Sequence, residues 1–400
     1  MGTTLFHGGK VFDGTGAPLA AADVVVEGDR IVDVGTGLDG DTAIDCTGKA
    51  LLPGLFDCHV HIAGRYEDDE LTMQHRPFSY NFFLIPESLR MTLALGITTI
   101  RDAAGADLGL KRAVDDGVVL GPRMQISITM ISQTGGHADG WLPSGGLDAF
   151  EVPYPGYPLG VCDGVDGVQR KVREVIRAGA DVIKIASSGG FFSPTDDPMH
   201  PHFSQEELDT IVRTAADLDV PVMSHAHSPE SIKRAVRAGV RSVEHGTYLD
   251  QESAEMMVEA GTWLVPTITA GDTTEAYAAN EKLAPEVREK FEGIGRPEFD
   301  AMRLAAEAGV KVAMGTDCPV APHGTNLNEL KHMSDHGFTP EQALVAATSG
   351  AAELMGMEDD LGTLAPGKIA DVVVVDGDPF AFDTLKDRIE RVYKAGTRVV

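Results

Sequence analysis

Two histidines one residue apart, His59 and His61, follow the apolar stretch Leu51-Leu-Pro-Gly-Leu-Phe-Asp57. On a strand, residues at i and i+2 project to one face, so both imidazoles could reach one metal ion; a packing or surface pair would read the same. Lys184 stands between two isoleucines in Ala180-Asp-Val-Ile-Lys-Ile-Ala186. An ammonium in such a segment is costly unless an acid neutralises it or chemistry uses it. A buried, deprotonated lysine can react with carbon dioxide, and the carbamate then offers two anionic oxygens able to bridge two metals. Further histidines occur in Met223-Ser-His-Ala-His227 and Val243-Glu-His245, and Asp317 closes Met314-Gly-Thr-Asp317. Taken singly, His225, His227 and His245 could be core histidines bonded to backbone, while Asp317 could be ligand, general base or both.

These groups need a frame that brings them together. Between residues 53 and 361, brief apolar runs alternate with longer helix-patterned segments, the signature of βα units and a parallel sheet. Strands are predicted at 55–59, 97–102, 124–129, 182–186, 222–226, 242–245, 263–267 and 312–317. The prediction is therefore an α/β fold, a (β/α)8 TIM barrel at 53–361, whose active site forms at the C-terminal ends of strands. The candidate residues fall on the first, fourth, fifth, sixth and eighth of them. Ser204 and Glu207 have the spacing of a helix capping box. Residues 135–164, rich in Gly and Pro, predict a functional loop over the mouth. Residues 1–52 and 362–400 read instead as short strands cut by Gly and Asp turns, and together predict one small β-sandwich domain beside the barrel. Cys46, Cys58, Cys162 and Cys318 form no C-x-x-C pair, so neither a thiolate zinc site nor a disulfide framework is expected.

The composition narrows the partners. With 61 acidic against 33 basic residues, the net charge of -28 opposes binding to nucleic acid or to an anionic membrane. The first ten residues show neither a basic segment nor a continuous apolar run, and no stretch approaches the ~18 apolar residues of a membrane span. A cytoplasmic, homo-oligomeric enzyme acting on a small molecule is expected.

Three stretches carry a resemblance to the amidohydrolase superfamily, in its binuclear subtype with a carboxylated lysine. They are Val11-Phe-Asp-Gly-Thr-Gly16, Pro53-Gly-Leu-Phe-Asp-Cys-His-Val-His61 and Gly362-Thr-Leu-Ala-Pro-Gly-Lys-Ile-Ala-Asp-Val-Val-Val-Val375. The resemblance covers essentially the whole chain. It implies that His59, His61 and Asp317 hold the more buried metal, that His225 and His245 hold the other, and that carbamylated Lys184 (N6-carboxylysine) bridges them. Nitrogen and carboxylate-type oxygen donors suit zinc, and a water between two such ions becomes largely hydroxide near neutral pH. Asp317 would take the proton from that hydroxide and pass it to the departing amine.

Within the superfamily the chain resembles the prolidase-like, Xaa-Arg(Lys) carboxypeptidase-like and ochratoxin amidase-like group, through Ser132-Gln-Thr-Gly-Gly-His137 and Ser188-Gly-Gly-Phe-Phe-Ser-Pro194. That implies a dipeptide or N-acyl amino acid as substrate, with His137 beside its carbonyl, unless His137 only braces its loop. Several prolidase-like relatives carry tyrosine where this chain has His227, a departure that bears on proline specificity. His227 is expected to contact a substrate carboxylate or to be bonded to backbone. Arg65 and Arg101 are the candidate cations for that carboxylate. A non-peptide amide, urea or carbamate is the alternative substrate. A mononuclear deaminase and a non-catalytic scaffold are the rival classes, and Lys184 and the full ligand set argue against each in turn.

Overall fold

The computed structural model describes residues 2–66, 75–142, 145–147 and 152–400. All but the third of its regular barrel strands are buried along their length, as a parallel sheet covered on both faces requires. Leu55–Val60, buried throughout, pairs in parallel with Ile97–Asp102, which pairs with Arg123–Ile126. Beyond that point the third strand breaks, because Ile128 adopts a left-handed φ of 67°. Met130–Ile131 resumes the ladder and passes it to Ile183–Ala186, Val222–Ala226, Ser242–His245 and Trp263–Val265.

The predicted eighth strand closes the barrel without becoming a regular one. Val312 bridges Leu264 on one side and Cys318 bridges Val60 on the other. Cys58 N donates to Met314 O at 2.8 Å, and Asp317 N donates to His59 O at 2.7 Å. A Cβ at Gly315 would lie 2.3 Å from the Val265 side chain and 3.0 Å from His59 N, so only glycine allows this approach. Helices lie outside the strands. Gln205–Ala216 carries the capping box formed by Ser204 and Glu207, and its Leu208, Ile211 and Ala215 are buried.

Two further sheets flank the barrel. A four-stranded sheet runs in the order Arg30–Gly35, Asp23–Glu27, Thr3–His7, Thr42–Asp45; in a six-stranded one Val372–Asp376 pairs with both Lys49–Pro53 and Ile389–Lys394. Alternation along Val372–Asp376 explains how one strand serves two cores. Val372 and Val374 pack with Phe6, Val24 and Leu51 between the sheets, while Val373 and Val375 join the barrel core. Lys49–Pro53 then hands the chain through Gly54 directly into the first barrel strand, which fixes the start of the segment carrying His59. Among the described residues, no helix is long and apolar enough to cross a membrane.

Candidate metal centre at the barrel mouth

His59 and His61 stand at the C-terminal end of the first barrel strand and converge on Asp317. Their Nε2 atoms lie 3.3 and 3.2 Å from Asp317 Oδ1. Burial raises the Asp317 carboxyl, but the two imidazoles beside it outweigh that and hold the group well below the usual carboxylate range. Lys184, fully buried on the fourth strand, places Nζ 3.3 Å from His59 Nε2. Burial brings its ammonium down to about 8 despite the pull of Glu244 and Asp317, so a neutral amine is accessible near physiological pH.

On the opposite side of the mouth, the His225 and His245 rings lie 4.7 Å apart and His245 is 4.9 Å from His59. His245 and Asp317 share an unusual backbone feature, left-handed φ values of 69° and 59°. Strand alternation would turn His245 away from the face used by its neighbour Glu244. The left-handed turn at the strand end swings it back over the mouth, so both residues reach the site.

One ring nitrogen of each candidate histidine is already engaged. His59 Nδ1 donates to Glu244 Oε2 at 2.7 Å, His61 Nδ1 to Ala104 O at 3.0 Å and His225 Nε2 to Gly189 O at 3.1 Å. His245 Nδ1 is hydrogen-bonded to Thr267 Oγ1 at 2.7 Å. A carboxylate and a carbonyl can only accept, so in the first three the proton sits on the engaged nitrogen and the other nitrogen keeps its lone pair. That is the tautomeric state a metal ligand needs. Among the described residues, two groups each have donor atoms within 4.8 Å of one another: His59, His245 and Asp317, and His225, His227 and His245. The residues present therefore fit a pair of divalent ions.

His227 sits closer to this centre than a purely substrate-contacting residue need be. Its Nδ1 is hydrogen-bonded to Thr247 Oγ1 at 2.7 Å, and its ring stacks on His245 at 5.0 Å. His137, from the loop after the third strand, stacks on His225 at 4.3 Å. Its Nδ1 lies 2.9 Å from Ser193 Oγ and 3.6 Å from Asp196 Oδ2. Lys290 Nζ ties this arrangement down through Asp196 Oδ1 at 2.9 Å and Gly190 O at 2.7 Å. Within the predicted loop 135–164, positions 143–144 and 148–151 lie outside the described residues.

Arg101 is not available to a substrate carboxylate. It is 2% exposed and its guanidinium is spent on Cys58 O, Ser242 and Glu244 inside the barrel. Arg65 pairs at 2.9 Å with Glu87. The sequence reading missed Glu244, Asp196 and Lys290. For Glu244 there was a signal, an acid in an apolar strand beside a candidate ligand; for Asp196 and Lys290 there was none.

Comparison with known proteins agrees with this geometry. The amidohydrolase family profile matches residues 50–399. Ochratoxinase from Aspergillus niger is 36% identical over 397 residues, covering 94% of this chain and 82% of that protein. The crystal structure of a Xaa-Pro dipeptidase with bound methionine superposes with a TM-score of 0.90 at 34% identity, covering 99% of each chain. A prolidase complexed with N-methylphosphonate-L-proline gives a TM-score of 0.90 at 36% identity, again over 99% of each chain. The chain belongs to the amidohydrolase family and is a hydrolase of carbon–nitrogen bonds.

Proposed function

We propose that this enzyme cleaves the amide bond of a dipeptide or N-acyl amino acid with two zinc ions, held by His59, His61 and Asp317 on one side, His225 and His245 on the other, and the Lys184 carbamate between them. The observation that carries the reading is the tautomer pattern: each of the four histidines has one nitrogen engaged, leaving the other for a ligand role. When bound, the ions supply Lewis-acid polarisation of the scissile carbonyl and a nucleophilic water at neutral pH. Asp317 accepts the proton released as the carbon–oxygen bond forms and delivers it to the amine nitrogen as the carbon–nitrogen bond breaks. His137 donates a hydrogen bond to the carbonyl oxygen as negative charge develops there, held in place by Ser193 and Asp196. The dipeptide class is supported by the Xaa-Pro dipeptidase and prolidase relatives, the N-acyl amino acid class by ochratoxinase.

Purified protein grown with added zinc and kept from chelators is expected to carry close to two ions per chain by elemental analysis. A value of one or less would favour the mononuclear deaminase class. His137→Asn and His227→Asn are each expected to lower kcat/KM while zinc content stays near wild type. Zinc loss in His227→Asn would instead make it a third nitrogen ligand beside His225 and His245, as their shared donor group allows.

A second substrate reading, a non-peptide aryl amide, urea or carbamate, has one observation in its favour. Phe191 meets the His227 ring edge-on at 4.9 Å and continues into Phe291, Phe192 and Tyr277. Such a wall would receive a flat apolar group. Rates on matched N-acyl amino acids and aryl amides distinguish the two.

A further inference from the structure

Inside the barrel, beneath the metal centre, lies a charged cluster that the proposed reaction does not use. Arg101 on the second strand points across the interior to Glu244 on the sixth. Its Nη2 lies 3.0 and 3.1 Å from the two carboxylate oxygens, Nη1 is 3.1 Å from Ser242 Oγ, and Nε donates to Cys58 O at 2.7 Å. The Ser242 hydroxyl also donates to Glu244. Glu244, Ser242 and His59 are fully buried and Arg101 is 2% exposed. Removing a guanidinium and a carboxylate from water costs several kcal/mol per ion before any return, so a pair retained here is weak evidence for stability alone.

The carboxylate has a second job visible in its geometry. Besides its contacts with Arg101 and Ser242, the carboxylate accepts at Oε2 from His59 Nδ1 at 2.7 Å. We infer that Arg101 and Glu244 are positioning residues, a buried ion pair that holds the His59 imidazole with its proton on Nδ1 and its Nε2 turned to the metal group. This rests on the metal-centre reading above. A carboxylate can only accept, whereas an amide in the same place could accept from Nδ1 or donate to it, and in the second case the proton would move to Nε2 and block ligation. An anionic partner also makes the imidazole a better donor to a metal. The guanidinium on both its oxygens and the Ser242 hydroxyl favour the charged carboxylate over the acid. Arg101 thus keeps charged the group that holds His59 Nδ1, and its grip on Cys58 O anchors the residue just before it.

The test is zinc affinity of the full-length protein, measured by competition with a metallochromic chelator, for wild type, Glu244→Gln and the double variant Arg101→Met/Glu244→Gln. The double variant removes the unpaired guanidinium that could unfold the single one. A positioning role predicts folded proteins in which one zinc site weakens by about 10–100-fold and the other is little changed. It also predicts that half of that zinc is lost at a higher pH than in wild type. Wild-type affinity at both sites, with only a lower melting temperature, would overturn the inference and leave the metal reading standing. Failure of both variants to fold would also count against it, since that outcome assigns the pair to stability. Wild type binding no zinc would instead defeat the metal reading itself.

Discussion

Lys184→Ala is expected to remove most activity and weaken at least one zinc site, and acetate or propionate added to the variant is expected to restore part of the turnover. The side chain is fully buried, 3.3 Å from His59 Nε2, and flanked by two buried isoleucines. In the proposed centre its neutral amine would attack carbon dioxide, forming a carbon–nitrogen bond and releasing a proton to solvent. The carbamate oxygens would then end a side chain longer than any natural carboxylate, so neither Asp nor Glu would readily replace it, while a small free acid could enter the vacated space. A structural ion-pair lysine predicts the opposite, a variant that keeps both zinc ions and appreciable activity and merely unfolds earlier.

The metal-free, carbon-dioxide-free protein offers an independent check with a definite sign. Folding lowers the Lys184 ammonium from 10.5 to about 8, so between those values the unfolded chain binds more protons than the native one. Stability from this group therefore rises with pH across that window, and the penalty, roughly 3 kcal/mol, is fully present below it. Unfolding of wild type and Lys184→Ala compared at pH 8 and 10 should show this gain in wild type alone. A lysine held by an acid partner would have a raised value and the reverse slope.

How much of this was legible beforehand depended on range along the chain. His59 and His61 could be paired because two residues on one strand need only the period of the pleat. Lys184 stood out because Ile183 and Ile185 made its burial costly. Ile97–Asp102, Val222–Ala226 and Ser242–His245 matched their predicted bounds, since apolar runs bounded by turn residues mark such strands well. The third and eighth strands did not, because Ile128 and Asp317 take left-handed backbone where the barrel rim bends, and no local propensity announces that in a β-branched residue or a rim acid. Arg101 invited a substrate role because its partner lies 143 residues away, and only barrel closure brings Glu244 to it. The clustering of His227 with His225 and His245 was hidden for the same reason: strand five fixes the first two, but the third arrives through the bend at the end of strand six.

Asp317 carries two duties in the proposed reaction, ligand and proton carrier, and one variant can separate them. Asp317→Asn keeps the shape and an oxygen that can still face the metal, but its amide cannot take up a proton. At ordinary zinc levels both losses act together, and kcat should fall by about 1,000-fold or more, within or above the usual range for a general acid–base. The informative measurement is the rate at saturating zinc, with metal content determined on the same sample. Two ions per chain and a rate still at least 100-fold down would leave proton transfer as the missing function. A rate recovering in step with zinc occupancy would show that Asp317 acts only as a ligand. The proton would then have to travel through another group at the mouth, and His137, held by Ser193 and Asp196 against His225, would be the residue to test next.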